Sequence, residues 1–148
     1  NVAGAVSLAK ALRLSYERTP DVLKKHREFK NLIIDELDSI NHVVINSPLD
    51  DNYVDSIINI SLPKIKGEAI VNSLNERGIM VSTTSACSSK TFHLNEALYA
   101  RGLSKENIEG SIRVSFSYKT KLEEIKIFVK VFKEEYNKKF KEVIESGI

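Results

Sequence analysis

The chain contains one cysteine, Cys87, within a run of small polar residues, "VSTTSACSSK". A structural cysteine is most often packed as a small apolar side chain, and these neighbours offer it hydroxyl groups instead. A thiol becomes a nucleophile when nearby positive charge or a helix N-terminus favours its thiolate. Lys90, His93 and the helix predicted after them can supply that environment. The residue types leave two interpretations open: a reactive nucleophile on a loop, or a buried structural cysteine.

Arg113 is the second residue suited to chemistry. In "SIRVSFS", alternation places it on the face of a strand opposite Ile112, Val114 and Phe116. A guanidinium can hold a carboxylate through two parallel hydrogen bonds. The alternatives are a solvated arginine on the strand face or an internal ion pair with one of the 20 acidic residues.

The three histidines and the remaining motifs carry less information. His26 lies on the apolar face of a predicted helix and indicates packing, whereas His42 begins a predicted strand at the surface. No three residues have the spacing of metal ligands, and no glycine-rich phosphate loop is present. We therefore predict no metal site.

Helices and strands must position these residues. Periodicity predicts two N-terminal helices, over residues 2–17 and 20–38, with Thr19 as the cap of the second and Pro20 at its first position. Further helices are predicted over 66–77, from Thr91 to about residue 100, and from Leu122 onward. The predicted strands are "HVVIN", "YVDSIINISL", "IMV" and "SIRVSFS".

The order of these elements is α-α-β-β-α-β-loop-α-β-α. Because the strand connections alternate between hairpins and helical crossovers, the order indicates an α+β (α/β) fold. We expect a small mixed or antiparallel sheet covered by helices on one face. Residues 1–148 are predicted to form a single domain, since no linker divides them.

Composition excludes several classes of function. The chain has 148 residues, 42% of them hydrophobic, and a formal charge of +2 from 22 basic and 20 acidic residues. That balance argues against direct binding of nucleic acid. No apolar run is long enough to span a membrane, and the first 20 residues do not resemble a signal peptide. A single cysteine cannot form an internal disulfide, so we expect a cytoplasmic protein.

The ordered motifs resemble the C-terminal small domain of cysteine desulfurases, fold-type I pyridoxal phosphate enzymes of the class V aminotransferase group. The opening "NVAGAVSLAKAL" is also similar to a helix of that family, so the resemblance spans nearly the whole chain. The matching motifs are Ser85-Ala86-Cys87-Ser88-Ser89, His93-Leu94, Ser111-Ile112-Arg113-Val114-Ser115 and the segment from Thr120 to Glu124.

The resemblance implies a role for each candidate residue. Cys87 would take sulfur from L-cysteine, become a persulfide and leave L-alanine, while Arg113 would hold the substrate carboxylate. His93 would support the start of the helix after the loop. The resemblance further implies a homodimer in the full-length form and a sulfur-acceptor protein, with iron–sulfur clusters, thionucleosides and thiamine all open as destinations.

This chain also departs from the family. Phe92 and Asn95 replace the usual residues around His93, and the loop is shorter than in long-loop members. In the family, the lysine that holds pyridoxal phosphate belongs to a large domain that precedes this region. We find no matching segment in this chain, and Lys10, Lys24 and Lys90 stand in other contexts. We therefore expect that no residue of this chain binds the cofactor and that the isolated chain is inactive.

Three other interpretations remain open. The first is a relative that eliminates or transfers something other than sulfur. The second is a stand-alone domain that carries and relays persulfide without cofactor chemistry. The third is a structural domain with an incidental cysteine.

Overall fold

The computed structural model describes residues 1–83 and 96–145 of the chain. Within these ranges the helices and strands follow one another in the order α-β-β-α-β-α-α-β-α. Their bounds are α1 Val2–Asp38, β1 Val44–Ile45, β2 Ile57–Ser61, α2 Gly67–Glu76, β3 Ser82–Thr83, α3 Glu96–Ala100, α4 Lys105–Glu109, β4 Ser111–Ser115 and α5 Leu122–Glu145. None of the helices in the described ranges is long and apolar enough to cross a membrane.

The strands of the described residues form one sheet in the order β1-β2-β4-β3, and every neighbouring pair is antiparallel. After β2 the chain crosses over through α2 to β3, and the later strand β4 lies between β2 and β3 in the sheet. The predicted α+β fold with an antiparallel sheet is confirmed.

The hydrophobic core lies between one face of this sheet and α1, α2 and α5. Every second side chain of β2 and β4 points toward the helices. The apolar residues of the helices that contact these side chains recur every three or four positions. The most deeply buried apolar side chains are Ile33, Leu37, Ile58, Ile60, Leu62, Ile70, Leu74, Ile112 and Phe132.

The prediction of two N-terminal helices is wrong, because α1 continues through Pro20 without a break. The Thr19 hydroxyl donates to the Ser15 carbonyl at 2.8 Å, so it bonds back into the same helix instead of capping a new one. Pro20 removes one backbone donor and its ring crowds the preceding turn, yet the helix continues on both sides of it. The local signal for a helix start was therefore overridden.

Two further elements differ from their predictions. The third strand is Ser82–Thr83 rather than "IMV", because the β4 partners that define it are Arg113 and Ile112. A short helix, α4, follows Ser104, whose hydroxyl accepts from the Asn107 amide at 3.2 Å. The helix predicted from Thr91 begins outside the described residues, and its described part is α3.

Gly110 controls where β4 begins. Its backbone passes so close to the turn after β2 that a Cβ atom there would meet the carbonyl oxygens of Leu62 and Ile65. The Leu62 amide also donates to the Gly110 carbonyl at 3.1 Å. This close approach requires glycine, and it fixes the start of the strand that carries Arg113.

Candidate functional site

Arg113 lies in the middle of β4 with its side chain exposed, between the buried residues Ile112 and Val114. Phe116 is buried on the same side as these two. The predicted alternation is therefore confirmed: the guanidinium lies on the face of the sheet that α1, α2 and α5 leave open.

The register of the sheet surrounds Arg113 with polar residues. Asn59 of β2 is its partner on one side and Ser82 of β3 is its partner on the other. Ser82 and Thr83 are also the last described residues before the segment that contains Cys87. The strand beside Arg113 thus leads directly into the cysteine motif.

A buried network of amides and hydroxyls lies beside Arg113 on this polar face. The Asn59 side chain donates to the Ser111 hydroxyl at 2.7 Å and to the Ile112 carbonyl at 3.2 Å, and it accepts from the Asn46 side chain at 2.6 Å. The Asn46 side chain also donates to the Ser61 hydroxyl at 2.7 Å. These bonds use the side-chain donors and the acceptor of Asn59. They link β2, β4 and the residue that follows β1.

The network extends to the elements at the end of the sheet. The Ser61 hydroxyl donates to the carbonyl of Asn107 in α4 at 2.8 Å, and Arg101 donates to the Asn46 carbonyl at 3.1 Å. Arg101 also donates to the Tyr53 hydroxyl at 2.6 Å. Because buried polar groups that satisfy one another resist movement, this network holds the strand from which Arg113 projects.

Sequence reasoning missed this network. The available signal was the polar parity of "IINIS", which places Asn59 and Ser61 on the face opposite the core. The alternation predicts a half-buried strand, with this polar face open to solvent. Instead Asn59 and Ser61 are buried, because Asn46 and α4 cover that end of the face.

Arg113 has no carboxylate partner within the described part of the chain. Ion pairs there engage other cations: Arg27 and Lys30 with Asp55, Arg77 with Glu134 and Glu135. The Arg27 guanidinium donates hydrogen bonds to Asp55 and Asp51, and these bonds raise its pKa. Of the two alternatives for Arg113, an internal salt bridge is not seen among these residues. Its guanidinium remains open to a carboxylate from outside.

Cys87 and His93 lie outside the described residues, as does Lys90, so their predicted roles stay predictions. His26 follows expectation, since it is packed between Phe29 and Phe116. His42 is exposed as expected, but it lies in a turn with a φ of 65°, and the strand begins at Val44. No group of three potential metal ligands exists in residues 1–83 and 96–145.

Comparison with known proteins identifies the class to which this fold and polar face belong. The aminotransferase class-V family profile matches residues 1–128. The chain therefore belongs to the class V aminotransferase family, whose members depend on pyridoxal phosphate.

Several of the similar curated proteins in this family are named cysteine desulfurases. Cysteine desulfurase IscS of Clostridium botulinum (strain Hall) is 32% identical over 133 residues, which are 88% of this chain and 34% of the relative. The protein of the same name from Dictyoglomus turgidum is 32% identical over 84% of this chain and 32% of its own length. The chain thus spans about one third of the curated relatives it matches.

Solved structures show the same fold. A NifS-like protein superimposes with a TM-score of 0.77 at 26% identity, over 90% of this chain and 33% of its own. The apo cysteine desulfurase of Thermococcus onnurineus gives a TM-score of 0.68 at 21% identity, over 90% of this chain and 31% of its own. The predicted likeness to part of a fold-type I enzyme is confirmed.

Lys10, Lys24 and Lys30 of α1 do not form a binding site for pyridoxal phosphate. The cofactor requires a free lysine amine together with contacts to its phosphate and ring. Lys30 is fully buried, but its Nζ donates to Asp55 at 3.4 Å, and Lys10 and Lys24 lie exposed on α1. Within residues 1–83 and 96–145, the exposed guanidinium of Arg113 is suited to recognition of a carboxylate.

Proposed function

We propose that this chain is the nucleophile-bearing small domain of a cysteine desulfurase, with the pyridoxal phosphate held by another region of a longer enzyme. The observation that carries the proposal is the open guanidinium of Arg113 beside β3, the strand that leads into the cysteine motif. The names of the similar curated proteins support the same activity.

Covalent geometry limits how far Cys87 lies from Thr83, the last described residue before it. Cys87 is four residues beyond Thr83, and an extended chain spans at most ~3.6 Å per residue, so their Cα atoms lie within ~14 Å. Thr83 is itself paired with Ile112, next to Arg113. One small substrate can therefore be held at its carboxylate by Arg113 and approached at its sulfur by Cys87.

The overall reaction balances with these two residues in the assigned roles. L-cysteine and the Cys87 thiol give L-alanine and a persulfide, Cys87–S–SH, so one sulfur atom moves and no external oxidant is needed. Arg113 binds the α-carboxylate through two hydrogen bonds and orients the substrate. His93 is assigned a supporting role at the start of the following helix.

The partners follow from this assignment. L-cysteine is the substrate, and a sulfur-acceptor protein removes the persulfide, as iron–sulfur cluster assembly requires. We infer a homodimer for the complete enzyme and a cytoplasmic location, where the thiol stays reduced. By itself the chain is expected to release no sulfide.

The test joins this chain to the two thirds of the Clostridium botulinum relative that lie outside the match. With cofactor and L-cysteine, the joined protein should form L-alanine and gain the mass of one sulfur atom on Cys87, reversibly with a reducing thiol. Cys87→Ser should abolish both while keeping the cofactor colour. Full sulfide release by that variant would refute the role of Cys87.

Arg113 is tested in the same protein. Arg113→Ala should weaken substrate binding roughly ten- to a hundredfold, because a hydrogen bond to a charged group contributes ~1.5–3 kcal/mol. Unchanged dependence on cysteine concentration would refute its role. Persulfide formation on the isolated chain from a persulfide donor, with no alanine from the joined protein, would favour a sulfur-relay domain instead.

A further inference from the structure

The two parts of the proposed site lie on different elements. Arg113 belongs to β4, whereas α3 is the helix that follows the segment containing Cys87. Packing holds α3 weakly, since Leu98 is its buried residue and the other residues described in it are exposed. A short helix is unstable in water without further contacts, so α3 depends on the groups that bond to it.

The end of α3 is well defined at Arg101. The Leu103 amide donates to the Leu98 carbonyl at 3.2 Å, and the Gly102 amide donates to the Tyr99 carbonyl at 2.8 Å. Gly102 has a φ of 81°. These bonds are those of a Schellman motif, in which a residue in the left-handed conformation closes a helix. Arg101 is the cap residue of this motif, so a restraint on its side chain restrains α3.

The Arg101 guanidinium contacts two residues far from α3 in the chain. It donates to the Asn46 carbonyl at 3.1 Å and to the Tyr53 hydroxyl at 2.6 Å. Its Cζ atom also lies 5.0 Å from the centre of the Tyr53 ring, within the range of a cation–π interaction. Because the guanidinium is planar and rigid, these contacts fix the direction of the side chain as well as its distance.

Tyr53 is itself connected to α1. The Lys30 amine lies 5.8 Å from the centre of the Tyr53 ring. Lys30 is fully buried, and its amine donates to Asp55 at 3.4 Å. The Tyr53 amide donates to the Asp50 carbonyl at 3.0 Å. The tyrosine that Arg101 contacts is therefore held by its own loop and by a core helix.

Asn46 connects Arg101 to the strand that carries Arg113. While its carbonyl accepts from Arg101, its side chain donates to the Asn59 side chain at 2.6 Å, and its amide donates to the Asn59 carbonyl at 2.9 Å. Asn59 in turn donates to the Ile112 carbonyl, which belongs to the peptide bond between Ile112 and Arg113. Hydrogen bonds through Asn46 and Asn59 thus link the end of α3 to the backbone beside Arg113.

We propose that Arg101 is a positioning residue for the reaction assigned above. It holds α3, the helix after the cysteine motif, at a fixed place relative to β4 and Arg113. This inference rests on the proposed function, in which both elements serve one substrate. A misplacement of about 1 Å can cost roughly a hundredfold in rate. Loss of the anchor should therefore slow the reaction, whereas Arg113 should still bind the carboxylate.

Kinetics of the joined protein described above test this role. Arg101→Ala should lower kcat for L-alanine formation by roughly tenfold or more and leave KM for L-cysteine within about twofold. Arg101→Lys should recover part of kcat, because lysine keeps the charge and a donor but lacks the planar fork. An unchanged kcat in Arg101→Ala would overturn the proposal. A rise in KM alone would also overturn it, since that result would place the effect on carboxylate binding.

Arg77→Ala is the matched control. Arg77 is an exposed arginine that also makes two side-chain hydrogen bonds, to Glu134 and Glu135 at 2.9 Å each. These bonds join the end of α2 to α5 in the helical layer. Arg77→Ala should therefore leave kcat unchanged. An equal loss of kcat in the two variants would indicate a general loss of stability and overturn the proposal.

Hydrogen exchange in the same proteins measures the anchor without reference to activity. In Arg101→Ala, the Gly102 and Leu103 amides that close α3 should exchange roughly tenfold faster or more, because the helix opens more often without its anchor. In Arg77→Ala they should exchange as in the unsubstituted protein. Unchanged exchange in Arg101→Ala would overturn the proposal. Tyr53→Phe removes only the hydroxyl acceptor, and it repeats both measurements if circular dichroism shows Arg101→Ala to be misfolded.

The two measurements separate this inference from the proposed function. If the unsubstituted joined protein forms L-alanine and Arg101→Ala keeps its kcat, the positioning role is refuted and the desulfurase assignment stands. If the unsubstituted protein forms no L-alanine, the desulfurase assignment and the positioning role fail together, and faster exchange in Arg101→Ala would leave Arg101 as a structural anchor of α3 only.

Discussion

Replacing Asn59 by alanine tests whether the buried network holds the strand that carries Arg113. The substitution removes the bond from Asn46 at 2.6 Å, the bond to Ser111 at 2.7 Å and the bond to the Ile112 carbonyl at 3.2 Å. The Asn46 side chain keeps its bond to Ser61 at 2.7 Å, so one partner remains satisfied.

The expected cost follows from these three bonds. Each contributes about 0.5–1.5 kcal/mol net, and buried groups left without a partner add to this. We expect the free energy of unfolding to fall by about 2–4 kcal/mol. For a chain of this size, a change of 1 kcal/mol in the free energy of unfolding shifts the melting temperature by roughly 2–4 °C. The melting temperature of Asn59→Ala should therefore fall by roughly 10 °C.

The assay is urea unfolding followed by circular dichroism, with Asn52→Ala as the control. Asn52 is exposed, and its side chain donates to Asp50 at 2.6 Å. An exposed substitution usually changes stability by less than about 0.5 kcal/mol. If Asn59→Ala costs no more than Asn52→Ala, the network does not stabilise the sheet and the reasoning fails.

Three further predictions concern glycine, burial and charge. Gly110→Ala should lower the free energy of unfolding by about 1–3 kcal/mol, because the new Cβ meets backbone oxygen. A Cβ at Gly78 has open space around it, so Gly78→Ala is destabilised only by the positive φ of 78°. Asp55→Asn should cost about 3 kcal/mol, since it leaves Lys30 buried without its carboxylate. Burial raises the pKa of Tyr136 above that of an unfolded tyrosine. The stability that the protonated Tyr136 contributes is therefore complete below pH ~10 and is lost as the pH rises through the raised pKa. Tyr136→Phe should remove this contribution to the loss of stability at alkaline pH.

Denaturant unfolding checks all three, at neutral pH for the first two and from pH 8 to 11 for the third. A Gly110→Ala protein as stable as the wild type would contradict the close approach at Gly110. An Asp55→Asn protein as stable as the wild type would show that Lys30 does not depend on this carboxylate. An unchanged pH profile in Tyr136→Phe would assign the alkaline loss to other groups.

Local patterns were sufficient for the parts of the fold that depend on near neighbours. The alternation of "SIRVSFS" correctly placed Ile112 and Val114 in the core and Arg113 on the opposite face, because a strand repeats every two residues. The stripe from Leu122 to Tyr136 likewise predicted α5.

Predictions that depend on distant residues were less accurate. Thr19 and Pro20 have the residue types of a helix start, yet α1 continues through them. The third strand is set by its pairing with Arg113 and Ile112, some 30 residues later, and not by the apolar "IMV". Local propensity is weak compared with packing and pairing, so tertiary contacts decided both cases.

By itself the sequence determined the class of fold, the identity of Cys87 and Arg113 as the chemical candidates, and the family resemblance that the comparisons confirm. Only the tertiary structure decided that Asn59 and Ser82 flank Arg113, that Asn46 and α4 bury the adjoining polar face, and that half of α1 lies uncovered. The physical reason is that periodicity is a property of neighbouring residues, whereas register and burial arise from contacts between segments far apart in the chain.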